Sequence, residues 1–378
     1  MKTIILYGAG TQNLRLAYQD IIASKGYNII AIVDKDPLKQ GKSFFGTPII
    51  SFEKLLQLDK EIDKYDCVIT IRTDSVVNEV KKSLEVLRNG RTYTFEEFFI
   101  QEKLNRKITR IPQIQTHVVD HCNLNCVRCS HFSPLVSNDD NAFYLNPKIF
   151  ENDVRRIAEL TNGDIDEYQL AGGEPLLHPE CYIFPYIVKK YLPNTKVIII
   201  TNGTLFDRVD EKFYLSCIEN DVDVWVTRYP IAIDYDSAIE NLKTRGINVE
   251  YGNSGNSKQQ VKEMWGVAYK PDGGLDGEKN FECCYGRCFM IRDGYMYLCT
   301  QSAYSDIFNR YFGTNMPEPT QSGINIYGVN SLEEITNYLS KKLAFCDYCN
   351  TLERMPPIPW DISKREIGEW VEMRKGNS

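Results

Sequence analysis

No run in this chain is long and apolar enough to cross a membrane as a helix, and the opening Met1-Lys2-Thr3-Ile4-Ile5-Leu6-Tyr7 is too short for a secretory leader. The first absence argues against a membrane partner, and the second leads to the expectation of a cytoplasmic protein. An excess of positive charge is also missing. Against 44 Lys and Arg stand 51 Asp and Glu, a net charge of −7, which does not favour a nucleic acid partner because phosphate neutralisation needs basic surface. Histidine is scarce, and its 4 occurrences (His117, His121, His131, His178) fall in one stretch. Cysteine is not scarce: there are 12 in 378 residues. In a reducing cytosol disulfides do not persist, so grouped cysteines read as metal ligands. Two groups stand out, Cys122 to Cys129 and Cys283 to Cys349, whereas Cys67, Cys181 and Cys217 are scattered.

The first group, Cys122-Asn123-Leu124-Asn125-Cys126-Val127-Arg128-Cys129, has the spacing C-x3-C-x2-C. Three thiolates so close together can face one iron–sulfur cube and leave its fourth iron without a protein ligand. Such an iron can bind and reduce a small molecule, whereas a cube held by four cysteines stores or relays electrons. Structural zinc is the alternative, but it wants four ligands and no fourth lies nearby. The run resembles the signature of the radical S-adenosylmethionine (SAM) superfamily. That resemblance implies metal ligation by Cys122, Cys126 and Cys129, chelation of SAM by the open iron, and reductive cleavage to methionine and a 5′-deoxyadenosyl radical. One position departs from the pattern: Arg128 stands where the family usually has an aromatic residue.

Strand-like and helical patterns alternate along the chain, which predicts an α/β protein with parallel sheets. Residues 1–105 look like a Rossmann-type βαβ domain. Gly8 and Gly10 sit at its first turn, and Asp34, at the end of the second strand, is placed to accept a ribose hydroxyl. Asn13 occupies the third glycine position of the dinucleotide fingerprint, so a βαβ packing module without a ligand is the equal alternative. The charged stretch Gln101 to Arg110 reads as a linker. Residues 112–275 resemble the partial (βα)6 barrel of radical SAM enzymes, with strands expected near 114–120, 168–171, 196–200, 222–226 and 247–251. Beyond it, 280–355 is expected to form a small iron–sulfur domain, with an irregular stretch at Met355-Trp360 and a C-terminal helix within 356–378.

Two strand ends carry motifs. Gly172-Gly173-Glu174-Pro175 resembles the family's GGEP turn, which contacts the SAM amino group; glycines admit close backbone approach and a carboxylate neutralises an ammonium. Thr201-Asn202-Gly203-Thr204 resembles a second SAM-contacting turn, with Thr201 and Asn202 as the polar contacts. Arg228 is expected to fork onto the methionine carboxylate, a substrate contact or a surface ion pair being the alternatives. His131, just past the cluster loop, is the leading substrate-contact histidine.

The second cysteine group resembles the "twitch" form of the SPASM extension, in which a hairpin and a C-terminal segment hold an auxiliary [4Fe–4S] cluster. The resemblance implies Cys288, Cys299, Cys346 and Cys349 as ligands. Cys284 also fits the spacing to Gly294 and competes with Cys288. The spare thiols, Cys283 or Cys284, are candidate hydrogen-atom donors, and a four-cysteine zinc site is the alternative for the whole group. Together these readings imply hydrogen abstraction from a carbohydrate or nucleotide-linked sugar, ending in epimerisation or dehydrogenation, with an electron donor such as flavodoxin or ferredoxin. The alternatives are a maturase of a ribosomal peptide and a zinc-containing nicotinamide oxidoreductase.

Overall fold

The structure is a computed structural model, and it describes residues 1–9, 14, 17, 21, 26–44, 46–71, 74–95, 97–98, 108–136, 143–251, 260–284 and 288–371, without the side chains at 74, 75, 251, 283 and 352–354. The chain forms two compact units, one on Met1–Lys107 and one on Ile108–Gly252 together with Ser257–Ser378.

The first unit is a six-stranded sheet of β1 (Lys2–Tyr7), β2 (Tyr27–Val33), β3 (Ser43–Phe44), β4 (Thr47–Ile50), β5 (Tyr65–Ile69) and β6 (Gly90–Thr94), in the order β3-β4-β2-β1-β5-β6. All pairings are parallel except β3 with β4. The continuous apolar runs explain this: Ile4–Leu6 and Cys67–Ile69 are fully buried, as strands covered on both faces must be. The helix Phe52–Glu61 begins at Ser51, whose hydroxyl accepts from the Lys54 amide and satisfies one orphan donor of the first turn. The helical pattern expected after β1 is described only at Leu14, Ala17 and Ile21, all buried. Gly10, Asn13 and the expected linker up to 107 lie outside the described residues.

In the second unit, strands and helices alternate as β7 (Gln113–Val119), helix Pro147–Thr161, β8 (Glu167–Gly172), helix Ile183–Tyr191, β9 (Lys196–Thr201), helix Glu211–Glu219, β10 (Val222–Val226), helix Tyr235–Thr244 and β11 (Val249–Tyr251). The five strands pair in parallel in sequence order. Next, β12 (Glu263–Tyr269) leaves this sheet and later pairs antiparallel with β16 (Cys349–Pro359). The hairpin of β13 (Met290–Arg292) and β14 (Tyr295–Tyr297) returns, so that β13 lies parallel to β7 and β15 (Ile324–Asn325) closes the edge. The sixth parallel neighbour is thus a hairpin strand and not the βα strand expected from a (βα)6 pattern. The hairpin turns at Asp293 (φ 51°) and Gly294 (φ 73°), the consecutive positive values of a primed turn.

The sheet has two unlike faces. Ile114, Val118, Tyr168, Leu170, Val197, Ile199, Val224 and Val226 pack with Phe150, Val154, Phe184 and Phe213 of the helices. The opposite face carries a polar cluster beside Ile198, Ile200 and Trp225. Gln115 donates to Gln169 (3.2 Å), Gln169 donates to Glu167 (2.5 Å), and Lys196 bridges Asp223 and Glu250.

Helices Ser305–Phe312 and Pro319–Ser322 and strand β15 occupy much of the stretch from Tyr311 to Ile326. One C-terminal expectation is corrected. Met355-Pro359 is not irregular. It completes β16, whose prolines are tolerated because the strand has a partner on one side only. Among the described residues, the expected C-terminal helix reduces to the 3-10 turn Ile367–Glu369.

Candidate active site

β7 delivers the chain directly into the cysteine loop, so the loop sits at the carboxyl end of the parallel strands, where ligands of such sheets gather. Cys122, Cys126 and Cys129 are close enough for each thiol to raise the pKa of another. Burial is the first cause in all three cases, pushing Cys126 up to about 11 and Cys122 higher still. Buried, mutually repelling thiols are at odds with the ionised form that a metal requires, unless iron supplies the compensating charge. Donors nevertheless surround the sulfurs. The Leu124 amide lies 3.5 Å and the Asn202 side-chain amide 3.7 Å from the Cys122 sulfur, and the Trp360 indole N–H lies 3.1 Å from that of Cys126. The Tyr229 hydroxyl also bonds to Cys126, and the backbone at 131–133 to Cys129. N–H and O–H groups aimed at three sulfurs suit thiolates holding a cluster.

The GGEP turn presses against this loop. A Cβ on Gly173 would stand 1.9 Å from the carbonyl oxygen of His121, and one on Gly172 (φ 155°) 2.3 Å from that of Val119. Glycine is therefore required at both positions. Glu174 is completely buried. Its carboxylate accepts from the Thr201 hydroxyl (2.6 Å), the Asn202 amide (2.8 Å) and the Leu176 amide (3.1 Å). Burial pushes its pKa up to about 7 in spite of these donors. Pro175 opens the short 3-10 turn Pro175–Leu177 that this carboxylate caps. Asn202 in turn donates to Asn123 Oδ1 (2.9 Å), and Asn123 donates to Thr204 (2.6 Å). The cysteine loop and the two strand-end turns are thus one hydrogen-bonded unit.

Other expected residues are placed less simply. His131 donates to the Gly172 carbonyl through Nδ1–H (3.0 Å) and packs edge-on against His117 at 4.4 Å. His117 is buried, stacks on Tyr304 at 4.5 Å, and leaves both ring nitrogens without a hydrogen-bond partner. Desolvation lowers its pKa well below the ordinary value. Asp120 is buried beside Arg292 and Tyr304 with Oδ1 unpartnered, and burial pushes its pKa up to about 7. Arg228 does not present a free fork: one amine pairs with Asp236 (2.5 Å) and the guanidinium covers Tyr235, while Nε is buried without a partner.

In the second group, Cys299, Cys346 and Cys349 lie close to one another and to Cys284, with Cys299 and Cys346 each pushed up to about 12, by burial first. Cys288 packs against the same core as Cys299 and Cys349. The Cys283 side chain lies outside the described residues. Among the described residues, no three His, Cys, Asp or Glu side chains are arranged to hold a single metal ion; a cube spreads its thiolates more widely than one ion does. In the N-terminal unit, Asp34 accepts from the Ala9 amide (2.6 Å) and the Asp36 amide (2.8 Å), so its oxygens are already engaged. Gly8 (φ 111°) has Ile71 2.7 Å from where a Cβ would stand.

Sequence reasoning missed Trp360 and Trp370. The only signal was negative: the arginine at 128 in place of an aromatic residue. The structure shows Arg128 at φ 57°, with Nη1 2.5 Å from the Pro356 carbonyl.

Residues 109–246 match the family Fer4_12, a 4Fe-4S single cluster domain. No curated protein matches the chain. Among solved structures, BtrN in complex with AdoMet and 2-DOIA is similar at 16% identity over 64% of this chain and 93% of that one, with a TM-score of 0.37. Native anSMEcpe with bound AdoMet gives 15% identity, 63% and 83% coverage, and a TM-score of 0.38. Streptococcus suis SuiB bound to S-adenosylmethionine gives 12%, 54% and 52%, and 0.27. All three TM-scores are below 0.5, too low to argue from. No helix among the described residues is long and apolar enough to cross a membrane.

Proposed function

We propose that the chain is a radical SAM enzyme, a reading supported by the match of residues 109–246 to a 4Fe-4S single cluster domain, that it acts on a carbohydrate or nucleotide-linked sugar, and that the outcome is dehydrogenation or epimerisation. The cluster and SAM together supply a radical strong enough to remove hydrogen from an unactivated carbon. The chain's own residues do the rest. Cys122, Cys126 and Cys129 hold three irons. Gly172, Gly173 and Glu174 with Thr201 and Asn202 form the cradle for the polar end of SAM, and the glycines bring that cradle against the cysteine loop.

The observation that supports the substrate class is the polar cluster on the sheet. Gln115, Gln169, Glu167, Lys196, Asp223 and Glu250 lie on the side away from the helices. That face sets several hydrogen-bonding groups beside Ile198, Ile200 and Trp225, a mixed lining that suits a ring with polar edges and apolar faces.

Cys299, Cys346 and Cys349, with Cys288 or Cys284 as the fourth, are the proposed ligands of an auxiliary cluster. An electron drawn off by that centre would give dehydrogenation. A hydrogen atom returned by a thiol would give epimerisation, with Cys283 or Cys284 as the donor. Reducing equivalents come from a flavodoxin- or ferredoxin-type donor. With Asp34 engaged by Ala9 and Asp36, the N-terminal unit lends no support to nucleotide recognition. Anaerobic thermal-shift screening tests the substrate class. Stabilisation by free sugars, or by UDP-, GDP- or dTDP-sugars, is expected. Stabilisation by a peptide and by none of these points to a maturase instead.

A further inference from the structure

The segment after β16 runs back across the cysteine loop. The Val127 amide donates to the Asp361 carbonyl (2.9 Å), Cys126 and Ile362 form an antiparallel bridge, and the Ser363 amide donates to the Asn125 carbonyl (2.8 Å). These three contacts are successive rungs of one short antiparallel ladder. Side chains extend it at both ends. Arg128 reaches the Pro356 carbonyl (2.5 Å), Arg365 the Pro134 carbonyl (2.8 Å), and the Trp370 indole N–H the Cys129 carbonyl (3.1 Å). At the centre, the Trp360 N–H points at the Cys126 sulfur from 3.1 Å, and its ring lies 5.7 Å from that of Tyr229, whose hydroxyl bonds to the same sulfur.

From this geometry we infer that residues 356–370 are a strap over the cluster loop, and that Trp360 is a positioning residue that tunes the three-cysteine cluster through its N–H···S bond to Cys126. The inference rests on the radical SAM reading of that loop. Its physical basis is direct. Arg128 is directed to Pro356 and does not cover the sulfurs, so cover has to come from elsewhere in the chain. A hydrogen bond to a cluster sulfur stabilises negative charge there, and the reduced cluster carries more of it. The bond therefore raises the reduction potential. The indole ring also withholds water and oxygen from the thiolate side of the site.

The test compares the parent with W360F, which keeps a ring and loses the N–H, and W360A, which loses both. Each is reconstituted anaerobically, and two properties are read: the midpoint potential of the cluster whose electron paramagnetic resonance signal responds to SAM, and the rate of bleaching in air. W360F is expected to keep its iron and titrate at a more negative potential, and W360A also to bleach several-fold faster. Parent-like potential and bleaching in both variants overturn the inference. If W360F loses iron, circular dichroism decides: a folded, iron-poor variant upholds a role at the cluster, and an unfolded one overturns it in favour of a role in folding. A parent with no SAM-responsive signal sinks the radical SAM reading, a result distinguishable from either.

Discussion

The Thr201 hydroxyl donates a 2.6 Å hydrogen bond to the Glu174 carboxylate, joining turns that follow two adjacent strands, β8 and β9. The Asn202 amide adds a second bond at 2.8 Å, and the carboxylate they share is fully buried. Glu174 therefore locks the geometry of both turns proposed to contact SAM.

E174Q replaces one accepting oxygen with a donor that faces backbone N–H or hydroxyl groups. An unsatisfied buried group costs about 1–3 kcal/mol, so SAM affinity should fall by roughly ten-fold or more while the iron content stays intact. Equilibrium binding of SAM to reconstituted protein checks this. Unchanged affinity would detach Glu174 from the cradle.

The strands that build this site are legible because their apolar runs are dense. Val197–Ile199 and Val222–Val226 sit where expected, since the helix-facing side of each strand must be buried. The Gly-Gly-Glu-Pro turn is legible because a carbonyl 1.9 Å from a would-be Cβ leaves no choice of residue. The segment from Pro356 to Trp370 is not legible. Its prolines mask an edge strand, and its contacts with the cysteine loop lie more than 200 residues away, as in the 234-residue separation of Cys126 and Trp360. No local periodicity encodes such a pairing. The partner of Arg228 escapes for another reason: Asp236 is eight residues on, across a turn whose closure spacing does not reveal.

Competition between Cys284 and Cys288 for the auxiliary cluster is settled by iron counting. Removing the ligating thiol should cost about half of the roughly eight irons that two cubes contain, so one of C284A and C288A should fall to about half while the other keeps them all. Full iron in both variants would contradict an auxiliary cluster held by either thiol.

The buried imidazole of His117 gives a pH signature. Its folded pKa is lowered by burial from an unfolded value of about 6.5, so below that pH the unfolded chain takes up a proton the fold refuses. The stability it contributes is complete above about 6.5 and is lost as the pH falls. Asp120 and Glu174, both pushed up to about 7 by burial, act in the opposite sense and are lost from the comparison when parent and variant are subtracted. H117Q should therefore gain on the parent by up to about 1.4 kcal/mol per pH unit below about pH 6. Chemical denaturation at pH 7.5, 6 and 5 measures the difference; a constant gap contradicts the assignment of a neutral, buried imidazole.

The central claim is that Cys122, Cys126 and Cys129 hold a cluster that cleaves SAM. The most direct measurement is the 5′-deoxyadenosine formed by anaerobically reconstituted, dithionite-reduced protein incubated with SAM, with C126A in parallel. The account predicts product from the parent and none above background from C126A. Equal product from both, or none from an iron-replete parent, would contradict it.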